Sequence, residues 1–507
     1  MTARGTGRAA APALDAPADP AAPRFSSCAI NRAWSPMKYR LSTDEARGVE
    51  DLMRFYNPYG PIRRMITYFG VGGNLPLYSG HVYNYDYDYI LRKTLGLSGF
   101  SAQLNRALYA GGKGSNLHGM FCSSLAESVE RGLGMLSWFD HVGSVVYGSH
   151  RTLTSQGYSC VHPSALGLFA PQQYSEPDFP YVPFTEDSYV GWIEGRRLIS
   201  GDAVWFPAQL AAIFYPPVNK DEDQIGYSSS GGLASHINER EAILHGILEV
   251  FERDAVNVHW YSRIPPKKVI LDRDAEIGEL KRLLDMSVSF NAQPTFYLHP
   301  LDFPEISVLT AIEYHDHFTR YKYYAGGGVS PDIEECLLSA VGEFGQAMVP
   351  LGISLAAPGW GLSHAMDRLF GVDEDVKQSE LNVFIKILSY YGYKKNFERL
   401  RWYVDTQDTV RLSELPRVRL GSLQERWDYV LDTLRVHGMD PIVFDFSPPQ
   451  FSTMRLMKVF VTELSPPFLP SLPMLGNSRY YELGHRLGLH DAPLTYADLN
   501  SDPMPYP

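Results

Sequence analysis

"SSSGGLASHINEREAILHGILEVFERDA", residues 228–255, opens on serines and glycines and then settles into helical periodicity. Ile243, Leu244, Ile247, Leu248 and Phe251 recur at the spacing of one apolar helix face. Glu241, His245, Glu249 and Glu252 fall at relative positions 0, 4, 8 and 11. At 3.6 residues per turn these four lie within an arc of roughly 80°. The stretch therefore predicts a helix with one polar stripe behind one core-facing side.

Taken alone, such a stripe is ordinarily the solvated side of a surface helix. Two further stretches repeat the layout, "GGKGSNLHGMFCSSLAESVER" (111–131) and "GGGVSPDIEECLLSAVGEFGQ" (326–346). The first places Ser123, Glu127 and Glu130 at i, i+4 and i+7, and the other places Ser339, Glu343 and Gln346 there. Glu335 repeats the position of Glu241, where the first stretch has Gly119. Each helix is expected to follow a glycine-rich loop, whose free N–H groups suit phosphate. Converging carboxylates repel and call for a cation between them. Mg²⁺ prefers oxygen ligands and bridges carboxylates to phosphates. Glu127, Glu130, Glu249, Glu252, Glu343 and Gln346 form a candidate cage for more than one Mg²⁺ with ATP. Arg131 and Arg253, each following a second glutamate, are candidates to neutralise phosphate or orient the carboxylates. The chain has neither a G-x-x-x-x-G-K-[ST] loop nor a kinase signature set.

At 507 residues, with 45% hydrophobic and 20% charged residues, the composition is that of a soluble globular protein. A net charge of −12 argues against bulk binding to nucleic acid or an anionic membrane. Cys28, Cys122, Cys160 and Cys336 include no C-x-x-C pair, and so few thiols favour the cytoplasm. Residues 1–25, rich in Ala and Pro, are expected to be a disordered tail. No run approaches the ~18 apolar residues of a membrane span.

The remaining pattern predicts an α+β protein. A helix is expected over "STDEARGVEDLMRFYN", strands over "MITYFGVGG" and "YSGHVYNYDY", and a hairpin plus a third strand between Tyr189 and Tyr215. "KKVILDRDAEIGELKRLLDM" reads as a strand and a helix, and "ISVLTAIEYHDHFTRYKYYAGGGVS" as two strands. Residues 365–440 look mostly helical, and the chain from Pro441 looks irregular and Pro-rich. The expected divisions are the tail, an N-terminal α+β region (26–105) and a main domain (106–507).

The three quoted stretches, in this order and at these intervals, resemble the signature blocks of the YcaO family. The resemblance covers residue 111 to the end and implies mixed sheets whose core helices carry the glutamates for Mg²⁺ and ATP. It implies nucleotide contacts from Lys113, Ser123, Arg131, Ser230, Glu241 and Arg253. Lys113 matches the family's Gly-Lys-Gly. Gly231, His236 and Ile237 depart from it, since the family often has a polar residue at the first position and Gly-Asn at the other two. The ending "DPMPYP" (502–507) fits the P-x-P-x-P motif of the azoline-forming branch, which implies that Pro503, Pro505 and Pro507 enter the active site. Polyproline geometry extends about 3.1 Å per residue and has little entropy to lose on docking.

The implied reaction closes a Cys, Ser or Thr side chain of a ribosomal precursor peptide onto its preceding amide. ATP phosphorylates the amide-derived oxygen, and loss of phosphate leaves a thiazoline or oxazoline. A leader-binding partner protein is implied as well, since the chain shows no peptide-capture domain. A homodimer and a flavin-dependent azoline dehydrogenase as a further partner are expected. "YSGHVYNYDYDY" (78–89) is either a partner-docking segment or an aromatic strand facing a core. Two alternatives stay open: a family member making a thioamide or amidine, and a non-catalytic scaffold.

Overall fold

The computed structural model describes residues 42–56, 62–69, 77–84, 109–114, 116–213, 215, 219–272, 293–315, 321–356, 359, 361–449 and 451–506. The expected disordered tail, the helix expected after residue 272 and Pro507 lie outside the described residues.

Helix α1 (Thr43–Phe55) is held by Asp51, which is fully buried. Its carboxylate accepts the N–H groups of Ser452 (3.1 Å), Thr453 (3.0 Å) and Met454 (3.2 Å). Burial alone would raise its pKa, but these hydrogen bonds hold it below the usual range. Strands β1 (Ile62–Phe69), β2 (Tyr78–Asn84) and β3 (Tyr109–Gly114) then form an antiparallel sheet in that order.

Of the two glycine-rich segments read as loops, 111–114 belongs to a strand, β3 (residues 109–114), whereas Gly231 and Gly232 do lie in a turn, which leads into β7 (Leu233–His236). Tyr323–Ser330, read as strand, forms β11. The glycines permit close helix packing on the strand. A Cβ on Gly112 would lie 2.1 Å from the Ser124 backbone nitrogen in α2 (Leu117–His141). On β11, a Cβ on Gly326 or Gly328 would lie 2.2 Å from backbone atoms of α4 (Ile333–Ala356). Gly327 points to the opposite face, as strand alternation requires. Between these two helices in sequence comes α3 (Glu239–Tyr261), which Asn238 caps by accepting from the Arg240 N–H at 2.9 Å.

A second sheet runs β11–β10–β9–β8–β12, with β8 Lys267–Ile270, β9 Thr295–Leu298, β10 Ser307–Tyr314 and β12 Thr409–Arg411. The third runs β4–β5–β13–β14–β7, with β6 on β5. Its members are β4 Val146–Gly148, the hairpin β5 Val190–Arg197 and β6 Ala203–Pro207, β13 Ile442–Asp445 and β14 Arg455–Phe460. The third strand expected before Tyr215 is instead a helical turn, Ala208–Ala211, whose Ala-Gln-Leu-Ala favours helix. The segment past Pro441 is more regular than its prolines suggested, supplying two strands of this sheet and helix α7 (Arg479–Arg486). The helical region contains α5 (Gly361–Phe370), α6 (Leu423–Val436) and shorter turns at Lys386–Tyr391 and Arg401–Val404.

Candidate active site

The polar stripes of α2, α3 and α4 turn toward one another. Lys113, on β3, bridges to Glu343 of α4 at 3.0 Å. Gln346 of α4 donates to the Gly111 carbonyl of β3 at 2.6 Å. Glu130 of α2 accepts the N–H of Ser235, on the strand leading into α3, at 3.0 Å. Glu249 accepts the N–H of Gly232 at 2.9 Å, and Glu343 that of Gly327 at 3.1 Å. Gly232 holds φ at +78°, which a residue with Cβ would adopt only under strain. Two arginines reach carboxylates of their own helices: Arg131 meets Glu127 at 2.8 Å, and Arg253 meets Glu249 at 3.9 Å while lying over the Phe384 ring. A Cβ on Gly327 would lie 2.7 Å from Glu252 Oε1, so the absent side chain makes room for that carboxylate.

The carboxylates are short of positive charge. Burial, then the charges of Glu249 and Glu127, push Glu130 well above the ordinary range. Burial, Glu343 and Glu249 push Glu252 up to about 8, against the pull of Arg253 and Lys113. Glu127 is raised because burial outweighs Arg131 and Lys113. Desolvation would raise the half-buried Glu343 as well, but Lys113 and Arg253 hold it below the usual value. Among the described residues no three acidic, histidine or cysteine side chains form a ready-made cage. A dispersed set fits Mg²⁺, which keeps waters and takes one or two carboxylates with phosphate oxygens. Hard oxygen donors with unbalanced buried charge are the chemistry that ion fits.

The other expected nucleotide contacts scatter. Ser123 is exposed on α2, while its neighbour Ser124 is buried against β3. Ser230 sits in the turn ahead of β7, its carbonyl accepting the Leu233 N–H at 2.9 Å. Glu241 is engaged by Arg426 of α6, at the far end of the α3 stripe. Residue-type reasoning missed Lys458 of β14, buried beneath the turn, whose ammonium donates to the carbonyls of Ser229 (2.8 Å) and Gly231 (2.6 Å). Its surroundings, "RLMKVF", carry no signal of this.

The C-terminal tail lies inside the protein. Residues 503–506 are buried. Tyr506 shares a hydrogen bond with Thr310 of β10 at 3.0 Å. Thr310 is paired directly with Gly327 of β11. Opposed residues of an antiparallel pair project to one face, about 5 Å apart. The tail is thus anchored one cross-strand step from the position over which Glu252 stands.

The signature of the YcaO cyclodehydratase, ATP- and Mg²⁺-binding family matches residues 111–465. An uncharacterised protein of Methanothermobacter thermautotrophicus is 24% identical over 275 residues, 53% of this chain and 64% of the relative. The chain thus spans less than two thirds of that curated relative. Among solved structures, a heterocyclase in complex with substrate and cofactor superposes with a TM-score of 0.68 at 20% identity, covering 93% of this chain and 58% of that one. YcaO from Methanopyrus kandleri, bound with AMPPCP and Mg²⁺, gives 0.56 at 20% identity over 86% and 94% of the two chains. The E. coli microcin synthetase McbBCD complex with pro-MccB17 bound gives 0.56 at 14% identity over 89% and 99%. These likenesses agree with the mixed α+β architecture. With a family match across most of its length, the chain belongs to the YcaO cyclodehydratase, ATP- and Mg²⁺-binding family.

Proposed function

We propose that this chain is an ATP-dependent peptide cyclodehydratase, forming thiazolines or oxazolines from Cys, Ser or Thr of a ribosomal precursor. The observation that carries this reading is the placement of the tail: Tyr506 on Thr310 and Glu252 over Gly327 share one face of the β10–β11 pair. A site for nucleotide alone has no need of a buried Pro-rich segment beside its carboxylates. When bound, Mg²⁺–ATP supplies the phosphoryl group that makes an amide oxygen a leaving group, together with the charge that balances it.

The chain's own groups then have distinct tasks. Glu127, Glu130, Glu249, Glu252, Glu343 and Gln346 are proposed to hold the metal. Lys113, Arg131 and Arg253 restrain the carboxylates and stand ready to exchange them for phosphate. Ser123, Ser230 and Glu241 are assigned to the nucleotide, and Pro503, Pro505 and Pro507 to the reacting amide. The microcin synthetase likeness supports a partner protein that captures the precursor, and the free Cys122, Cys160 and Cys336 suit the cytoplasm.

The test is ATP turnover and precursor mass, measured with precursor and leader-binding partner together and with each alone. The reading expects turnover that depends on both and the loss of one water per ring. Turnover with exchange of oxygen for sulfur would replace it with thioamide formation, and no turnover would leave a scaffold.

A further inference from the structure

Proline has no N–H, so a tail of alternating prolines offers mainly acceptors. Its surroundings are donors from separate elements. The indole of Trp260, on α3, donates to the Asp502 carbonyl at 2.8 Å. The Tyr391 hydroxyl donates to the Pro503 carbonyl, and the Tyr323 hydroxyl, from β11, to that of Pro505 at 2.8 Å. Tyr506 reverses the pattern by bringing its own hydroxyl, which is shared with Thr310 and donates to the Tyr403 hydroxyl at 2.9 Å. Trp260, Tyr323 and Tyr391 are fully buried, so a displaced tail would leave buried donors short of a partner, whereas Thr310 and Tyr403, equally buried, also reach His299 at 3.0 and 3.3 Å.

These contacts fix a register. A slip of one residue would carry Tyr506 away from Thr310 and misalign the carbonyls from the indole and both phenols. Each buried donor left unpaired disfavours the slipped state by about tenfold. We propose that Trp260, Tyr323 and Tyr391, with Thr310 as the counterpart of Tyr506, are positioning residues that set the tail's register against the Glu252 end of the site. The proposal rests on the role given to the tail above. It assigns that role's precision to side chains between residues 260 and 391, far from the tail in sequence.

The test compares wild type, Tyr323→Phe/Tyr391→Phe and Thr310→Val, all of which keep the buried volume. Four quantities are read: melting temperature, Mg²⁺–AMPPCP affinity, deuterium uptake of residues 499–506, and water loss from the precursor used to test the function. The expected result is an intact fold and unchanged AMPPCP affinity. Tail uptake should quicken and ring formation should slow, each by about tenfold for every donor removed, with the KM for ATP unchanged. Unchanged uptake overturns the proposal, and so does quicker uptake with undiminished ring formation. If wild type itself forms no rings, the functional reading has failed, while the uptake comparison still decides whether these side chains hold the tail.

Discussion

Glu252 and Asp254 stand two residues apart on α3, both buried, and the fold treats them in opposite ways. Asp254 is fully compensated. Arg479 grips it with Nε at 2.8 Å and Nη2 at 2.7 Å, and the Ser465 N–H adds a bond at 2.8 Å. The same guanidinium reaches Asp302 at 3.0 Å, tying α3, α7 and the loop after β9 together. Glu252 lies instead among Glu249 and Glu343, with Arg253 and Lys113 as only partial counterweights. Burial does not separate a structural acid from a functional one. What separates them is whether the protein supplies the balancing charge itself or leaves it to a bound cation.

The largest expected effect comes from Glu249→Gln, which keeps volume and removes one metal charge. ATP turnover should fall at least about 100-fold, while melting temperature in the absence of metal stays level or rises because crowding is relieved. A variant turning over ATP at the wild-type rate would erase the contrast with Asp254. Next is Arg479→Met, which strands Asp254 without a cation and leaves Asp302 with Arg486 alone, at 2.9 Å. Breaking a buried pair from one side costs about 3–5 kcal/mol, read by chemical denaturation. A cost below about 1 kcal/mol would mean that this pair does not hold the fold.

The two regions should also give opposite pH slopes. Burial pushes Asp302 up, but Arg479 and Arg486 outweigh it and its pKa is lowered. Its contribution is therefore full above the ordinary carboxylate range and lost as pH falls through it. The folded pKa of Glu252 is raised, so the folded state holds a proton that the unfolded chain has released. Metal-free stability should consequently decline as pH rises from about 4.5 toward 8. Glu252→Gln should lessen that decline, Glu130 and Glu127 keeping part of it, and leave the acid limb alone. An unaltered slope in this variant would assign the decline to another group.

The polar stripes were legible because helical period and residue type coincide in one local window. The glycines of 111–114 were misread because what they serve is not local: only the approach of α2 to β3, with Ser124 against Gly112, distinguishes a packing glycine from a loop glycine. Strands β13 and β14 escaped notice because both are short, lie in a Pro-rich setting and are buried over most of their length, leaving no clean alternation. The P-x-P-x-P ending was visible as a motif. The donors that receive it lie between residues 260 and 391, and no spacing rule links them to it.

The most direct test of the central claim is a crystal structure grown with Mn²⁺ and AMPPCP, with anomalous maps to locate the metal. The metal peaks should be bounded by carboxylates from α2, α3 and α4 together, with Glu249 or Glu252 among the ligands and residues 503–506 in place beside them. Metal and nucleotide bound elsewhere, with these glutamates still paired to Lys113, Arg131 and Arg253, would contradict that claim.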